Sequence, residues 1–130
     1  MTQEPSMNAE STVRALLAAF PSVIVESMRP GSVDLQVREA DVSSLMQAAN
    51  LAGWRHMGTD GVSGQYWITF RLPASVAAAT IVSEGIDISR MTLAEILDEC
   101  VGPWGWEVEW GLCYANAVEA SVNLIYLATI

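Results

Sequence analysis

His56 is the only histidine in the chain, and Asp60 follows it in the next few residues. A His–Asp pair of this kind orients an imidazole as a general base. No nucleophile comes with it, because neither Ser63 nor Cys113 stands in the strand–turn–helix elbow that exposes one. His56 therefore reads as an ordinary hairpin histidine. Glu107 and Glu109 flank Val108 in GPWGWEVEWG, a stretch that also holds Trp104, Trp106 and Trp110. Two carboxylates on one strand face stand about 7 Å apart, which invites comparison with glycoside hydrolysis. The same alternation sends Trp106 and Trp110 to the opposite face from the glutamates. Nothing in the sequence buries either carboxyl, as a raised pKa requires. Gly58, Gly61 and Gly64 lack the dinucleotide spacing, precede no Lys and lead into a strand, so they read as a hairpin loop. Cys100 and Cys113 have no metal-ligand spacing, and both read as small buried hydrophobes. No catalytic residue, cofactor or metal is expected.

Charge is the stronger signal. The 130 residues include 15 carboxylates and six basic residues, a net charge of −9. All six basic residues are Arg, and all lie in the first ninety positions. Glu95, Asp98, Glu99, Glu107, Glu109 and Glu119 follow with no base among them. Such a surface repels phosphate, which argues against direct binding to nucleic acid or to an anionic membrane. It attracts a basic protein, and it also keeps an apolar small domain dispersed.

The elements that must position these residues follow from periodicity. Residues 1–7 read as a flexible tail and 8–130 as one globular domain. Asn8 caps a helix carrying Val13, Leu16, Leu17 and Phe20, which Pro21 stops. Ser22–Met28 and Val33–Val37 read as strands joined at Arg29–Ser32 by a type II turn, with Gly31 supplying the positive φ. Asp41 caps a second helix with Val42, Leu45, Met46 and Ala49 on one face, ended by Gly53. A short strand at Trp54–Met57, a loop at Gly58–Gly64 and a strand at Tyr66–Leu72 form a second hairpin. An Ala-rich helix runs from Ala74 to Glu84. Thr92-Leu93-Ala94-Glu95 is a capping box, and Met91 and Ile96 are placed for a hydrophobic staple. Trp106, Val108, Trp110, Leu112 and Tyr114 then alternate as one side of a strand, and Ser121–Ile130 reads as an inner strand; a helix over 115–127 is the rival reading of that last part. The sum is a two-layer α+β domain: a mostly antiparallel sheet of about six strands, built from β-hairpin–helix units, with helices on one face.

The absence of a basic start and of a long apolar run points to a soluble cytoplasmic protein. The expected function is a non-enzymatic protein-interaction module. In it Glu95, Asp98, Glu99, Glu107 and Glu109 surround Trp104, an aromatic anchor ringed by polar groups, and face a basic protein or protein complex. In its sharper form it is a small acidic inhibitor of the phage or mobile-element type, with carboxylates standing where phosphates would in a nucleic-acid-handling complex. Two other readings stand beside it. One is a small-molecule site, catalytic or not, lined by Trp54, Tyr66 and Trp67. The other is a structural subunit of a homo-oligomer.

Overall fold

The computed structural model describes residues 7–102 and 108–128. The elements run α1 (Ala9–Leu17), β1 (Ile24–Arg29), β2 (Ser32–Arg38), α2 (Glu39–Leu51), β3 (Arg55–Val62), β4 (Gln65–Arg71), α3 (Ala74–Ser83), α4 (Leu93–Val101) and α5 (Val108–Ala128). The class is α+β, but among the described residues the antiparallel sheet has four strands in the order β1-β2-β4-β3, not about six. The two strands expected at the end of the chain are replaced by α5. Residues 1–6 of the expected tail lie outside the described residues, and Met7 is exposed.

The sheet is two hairpins laid side by side. β2 and β4 pair centrally, Leu35 opposite Ile68. Val33, Leu35 and Val37 alternate inward from β2 and are buried, as are Ile68 and Phe70 of β4 and Leu72 just beyond it. Burying an aliphatic side chain of this size stabilises by about 1.5–3 kcal/mol. The outer strands each carry an irregularity two residues from their start, between Val25 and Ser27 in β1 and between His56 and Gly58 in β3. Bulges at sheet edges bend the strand and spoil it as a template for further pairing.

The second hairpin differs from expectation. β3 runs through Gly58 and Gly61 to Val62, and the turn is only Ser63-Gly64. Both turn residues have positive φ, 50° and 81°, as a two-residue loop matched to strand twist requires. The first hairpin turns at Pro30-Gly31, and Gly31 is not in the left-handed region, so the type II assignment fails. Helix α2 begins at Glu39, and Asp41 does not cap it. Its carboxylate instead accepts hydrogen bonds from Ser22 Oγ at 2.7 Å and Arg38 Nη2 at 3.3 Å.

Two apolar clusters form. The first joins the inner sheet face to α1 and α2 through Ala9, Val13, Leu45, Ala49 and Trp54. The second lies among α3, α4 and α5, with Ala77, Ile81, Ile96, Leu97, Cys100, Tyr114, Val118 and Val122. The helices are therefore not all packed on one sheet face. α3 bridges the clusters, with Val76 in the first and Ala77 in the second. The Ala9 backbone N–H also donates to Thr80 Oγ1 at 2.7 Å, tying the start of α1 to α3.

The strand expected over 106–114 is helical from Val108 onward. Tyr114, Ala115, Val118 and Val122 point inward at helical spacing, whereas Leu112, Leu124 and Leu127 are exposed. Cys113 is exposed too, contrary to the reading of both cysteines as buried; the two thiols are free.

The seam between the clusters is polar and close-packed. The Gly31 N–H donates to Cys100 O and Leu72 N–H donates to Gly31 O, each at 2.8 Å. The Tyr114 hydroxyl donates to Leu72 O at 2.7 Å. Arg71, the last residue of β4, lies over Trp110 and Tyr114, 4.6 and 4.8 Å from their ring centres. A Cβ on Gly31 would stand 2.6 Å from Tyr114 Oη and 3.0 Å from Cys100 Cβ. Gly31→Ala is therefore expected to destabilise by about 1–3 kcal/mol through overpacking. Tyr114→Phe is expected to cost about 0.5–1.5 kcal/mol through its lost hydrogen bond. Because the hydroxyl is the main obstruction, Gly31→Ala should cost less in the Tyr114→Phe background, and a urea-denaturation double-mutant cycle reads that coupling.

Candidate interaction surface

α4 forms where the sequence places it. Thr92 Oγ1 accepts from the Glu95 N–H at 3.2 Å, and Glu95 Oε1 accepts from the Thr92 N–H at 3.0 Å. Ile96 is buried and Met91 packs against the same cluster, as the staple requires. Leu97, Cys100 and Val101 complete the buried face. This fixes the outward direction of Asp98 and Glu99. Burial pushes the Cys100 thiol up to about 12, so it is inert packing.

Glu95 is committed to the cap. The Thr92 backbone N–H, and after it the Thr92 hydroxyl, hold its carboxyl below the ordinary range. Asp98 and Glu99 occupy the last turn of α4, where no basic residue stands. The free carbonyls of a helix end already make that end negative. Arg29 offsets this in part, with its Nη1 donating to Asp98 O at 3.4 Å. Gly102 ends the helix at φ 78°. A Cβ there would stand 2.8 Å from Arg29 Nε, so the guanidinium lies flat against the helix stop.

Glu99 borders two depressions. The smaller, about 410 Å³, lies on the outer side of α4 and is lined by Met91, Ala94, Glu95, Asp98 and Glu99. The larger, about 700 Å³, opens between the start of α1, the β1–β2 turn, the end of α3 and α4. Glu10, Glu84 and Glu99 bring three carboxylates to it, against Arg29. Glu84 is the C-cap of α3, again at a negative helix end with no base in the last turn. Glu10 is paired with Arg14 along α1 in an exposed contact of little energetic weight. The acidic surface thus draws on α1 and α3 as well as α4. Sequence reasoning missed Glu10 and Glu84 because only the fold brings them beside Glu99; the signal that was available was Glu84 just before the helix-ending Gly85.

Trp104 and Glu107 lie outside the described residues. Glu109 falls in the first turn of α5, so the strand alternation that set it beside Glu107 has no strand to rest on.

A second acidic face lies on the outer side of the sheet. Asp34 accepts from Ser27 Oγ and Thr69 Oγ1, each at 2.6 Å. With Glu26, Asp60 and the exposed Trp67 it lines a shallow hollow of about 510 Å³. Trp54, Tyr66 and Trp67 do not line one pocket. Trp54 is buried edge-on against Phe70 and Tyr66 packs on the same inner cluster, while Trp67 faces outward. His56 pairs with Thr59 Oγ1 rather than Asp60. Among the described residues no cluster of His, Cys, Asp and Glu could hold a metal ion, and no helix is long and apolar enough to cross a membrane.

The cap carries a pH signature. A carboxyl whose folded pKa is depressed contributes stability that is present above its ordinary value, 4.5 for Glu95, and lost as the pH falls through the lower folded value. Thr92→Ala is expected to lower the melting temperature at neutral pH. The gap from the unchanged protein should narrow on acidification through that window, as thermal melts across a pH series would read.

The chain matches no protein-family model, no curated protein and no solved structure.

Proposed function

We propose that the chain is a non-enzymatic protein-interaction module whose acidic surface receives basic groups of a partner protein. The observation that carries this reading is the placement of Glu84, Asp98 and Glu99 at the C-terminal ends of α3 and α4. A carboxylate at that end of a helix is destabilising by roughly 0.3–1 kcal/mol, the reverse of its effect at the N-terminal end. Solubility is served equally well by carboxylates placed anywhere on the surface, so it does not account for acids crowded where they cost stability. A cationic partner does account for them, since it neutralises both the side chains and the helix ends. Arg29 supplies one such cation within the chain, beside three carboxylates.

The surface of the proposal comprises Glu95, Asp98 and Glu99 with Glu10 and Glu84. Trp104, Glu107 and Glu109 extend it on the strength of the sequence, where they follow α4 directly. Its sharper form is an inhibitor that occupies the nucleic-acid groove of a DNA- or RNA-handling complex, as small acidic phage or mobile-element proteins would.

The test uses stability and binding together. Glu84→Gln/Glu99→Gln should raise the melting temperature by about 1–4 °C. It should also weaken capture of a basic partner from lysate, and that capture should fall steeply between low and high salt. Glu107→Gln/Glu109→Gln should weaken capture likewise. A double variant that melts lower than the unchanged protein, or a partner held equally well at high salt and by both variants, would sink the reading.

A further inference from the structure

Helix α5 is apolar on more than one side. Its inner side, with Tyr114, Ala115, Val118 and Val122, is covered by α3 and α4. A helix that is apolar all round is ordinarily buried all round. On the outer side Cys113, Ala117, Ala120, Leu124 and Leu127 recur at alternating steps of four and three, and all five are exposed. Leu124 and Leu127 each leave 66% of their surface to solvent. Alternating steps of four and three make the heptad seam by which helices pair in coiled coils.

We propose that this seam is the interface of a homodimer, in which α5 of one copy packs antiparallel on α5 of a second copy.

Two observations select a second copy as the occupant. The first is charge. A chain of net charge −9 repels its own copy across most of its surface. From Cys113 to Leu127 the seam and its exposed flanking residues Asn116 and Asn123 carry no charged side chain, and Glu109 stands one turn ahead of it, so like-charge repulsion is low over this stretch. A basic partner, by contrast, has no carboxylate on the seam to seek. The second is the order of side-chain sizes. The small residues Ala117 and Ala120 sit at the middle of the seam, and Cys113 and Leu124 stand either side of them. An antiparallel two-fold sets Ala117 of each copy on Ala120 of the other, and Cys113 on Leu124. At each end Leu124 then covers the smaller Cys113, with Leu127 one step beyond and opposite position 110 of the other copy, and the backbones approach closely between the ends. The same operation brings Asn116 of one copy toward Asn123 of the other, where each amide offers both donor and acceptor. A parallel pairing would gather Leu124 and Leu127 at one end and leave only Cys113 and alanines at the other.

Sedimentation velocity of the full chain over a wide concentration range tests this. The unchanged protein should sediment at twice the mass of one chain and dissociate on dilution. Ala120→Arg places two charges at the centre of the seam and should weaken the dimer at least tenfold, with the far-ultraviolet circular dichroism of the folded chain retained. Leu124→Gln serves as the second variant if Ala120→Arg fails to fold, and it should weaken the dimer in the same direction. Mild oxidation of the dimer should give no Cys113–Cys113 cross-link, since the antiparallel arrangement holds those thiols at opposite ends. A chain that stays monomeric at every concentration overturns the proposal, and so does a dimer that survives both substitutions. A monomer that co-sediments with lipid vesicles assigns the seam to a membrane surface and overturns it too. Efficient Cys113 cross-linking overturns the antiparallel arrangement.

Discussion

The whole molecule turns on the contact between Gly31 and α5. The sheet with α1 and α2 makes one apolar cluster, and the last three helices make another. Few side chains belong to both. What fixes one against the other is a run of backbone hydrogen bonds and one phenol: Gly31 to Cys100, Leu72 to Gly31, Tyr114 to Leu72. These groups are buried, so each would cost free energy if left unpaired. They also demand specific distances, which apolar packing does not. Glycine is required at position 31 because of what approaches it and not because of its own backbone angles. Arg71 closes the same seam by lying over two aromatic rings, keeping its charge at the boundary while its stem is covered.

That seam sets the orientation of α4, and through it the acidic surface. Cys100 accepts the Gly31 bond at the end of α4, directly after Glu99. Arg29, one residue before the turn, reaches Asp98 O from the sheet side. Sheet and helix therefore meet at the point where the carboxylates of α3 and α4 converge. The interior supplies the stability against which these unfavourably placed charges are tolerated.

The hairpins, α1 and α4 were legible because their signals are local. Period-two alternation in β2 and β4, the Asn8 cap and the capping box at Thr92 each depend on residues a few positions apart. The misread parts depend on tertiary contact. Residues 108–114 alternate Val, Trp, Leu and Tyr with small or polar residues, which is a strand pattern by period. The same residues also fit a helix whose inner side begins at Gly111, Tyr114 and Ala115. Burial against α3 and α4 decides between the two, and no local window contains those helices. Gly58–Gly64 looked like a loop from its glycines, yet pairing with β4 holds it extended. On the candidate surface, Asp98 and Glu99 were visible as an acidic run, whereas Glu10 and Glu84 join them only through folding.

The two proposed surfaces divide the chain by charge. α4 packs on the inner side of α5, opposite the exposed seam, so pairing through the seam leaves the acidic surface of each copy uncovered. A dimer would then present two acidic surfaces on one particle. For a partner with repeated basic sites, the second contact becomes intramolecular, and binding strengthens without any new contact within either surface. The seam's lack of charge acts in the opposite sense. Between Cys113 and Leu127 the seam offers a basic partner no carboxylate, so attraction of the partner and pairing of the chain would draw on different residues there, with Glu109 at their boundary. A net charge that opposes self-association elsewhere would confine it to this one face.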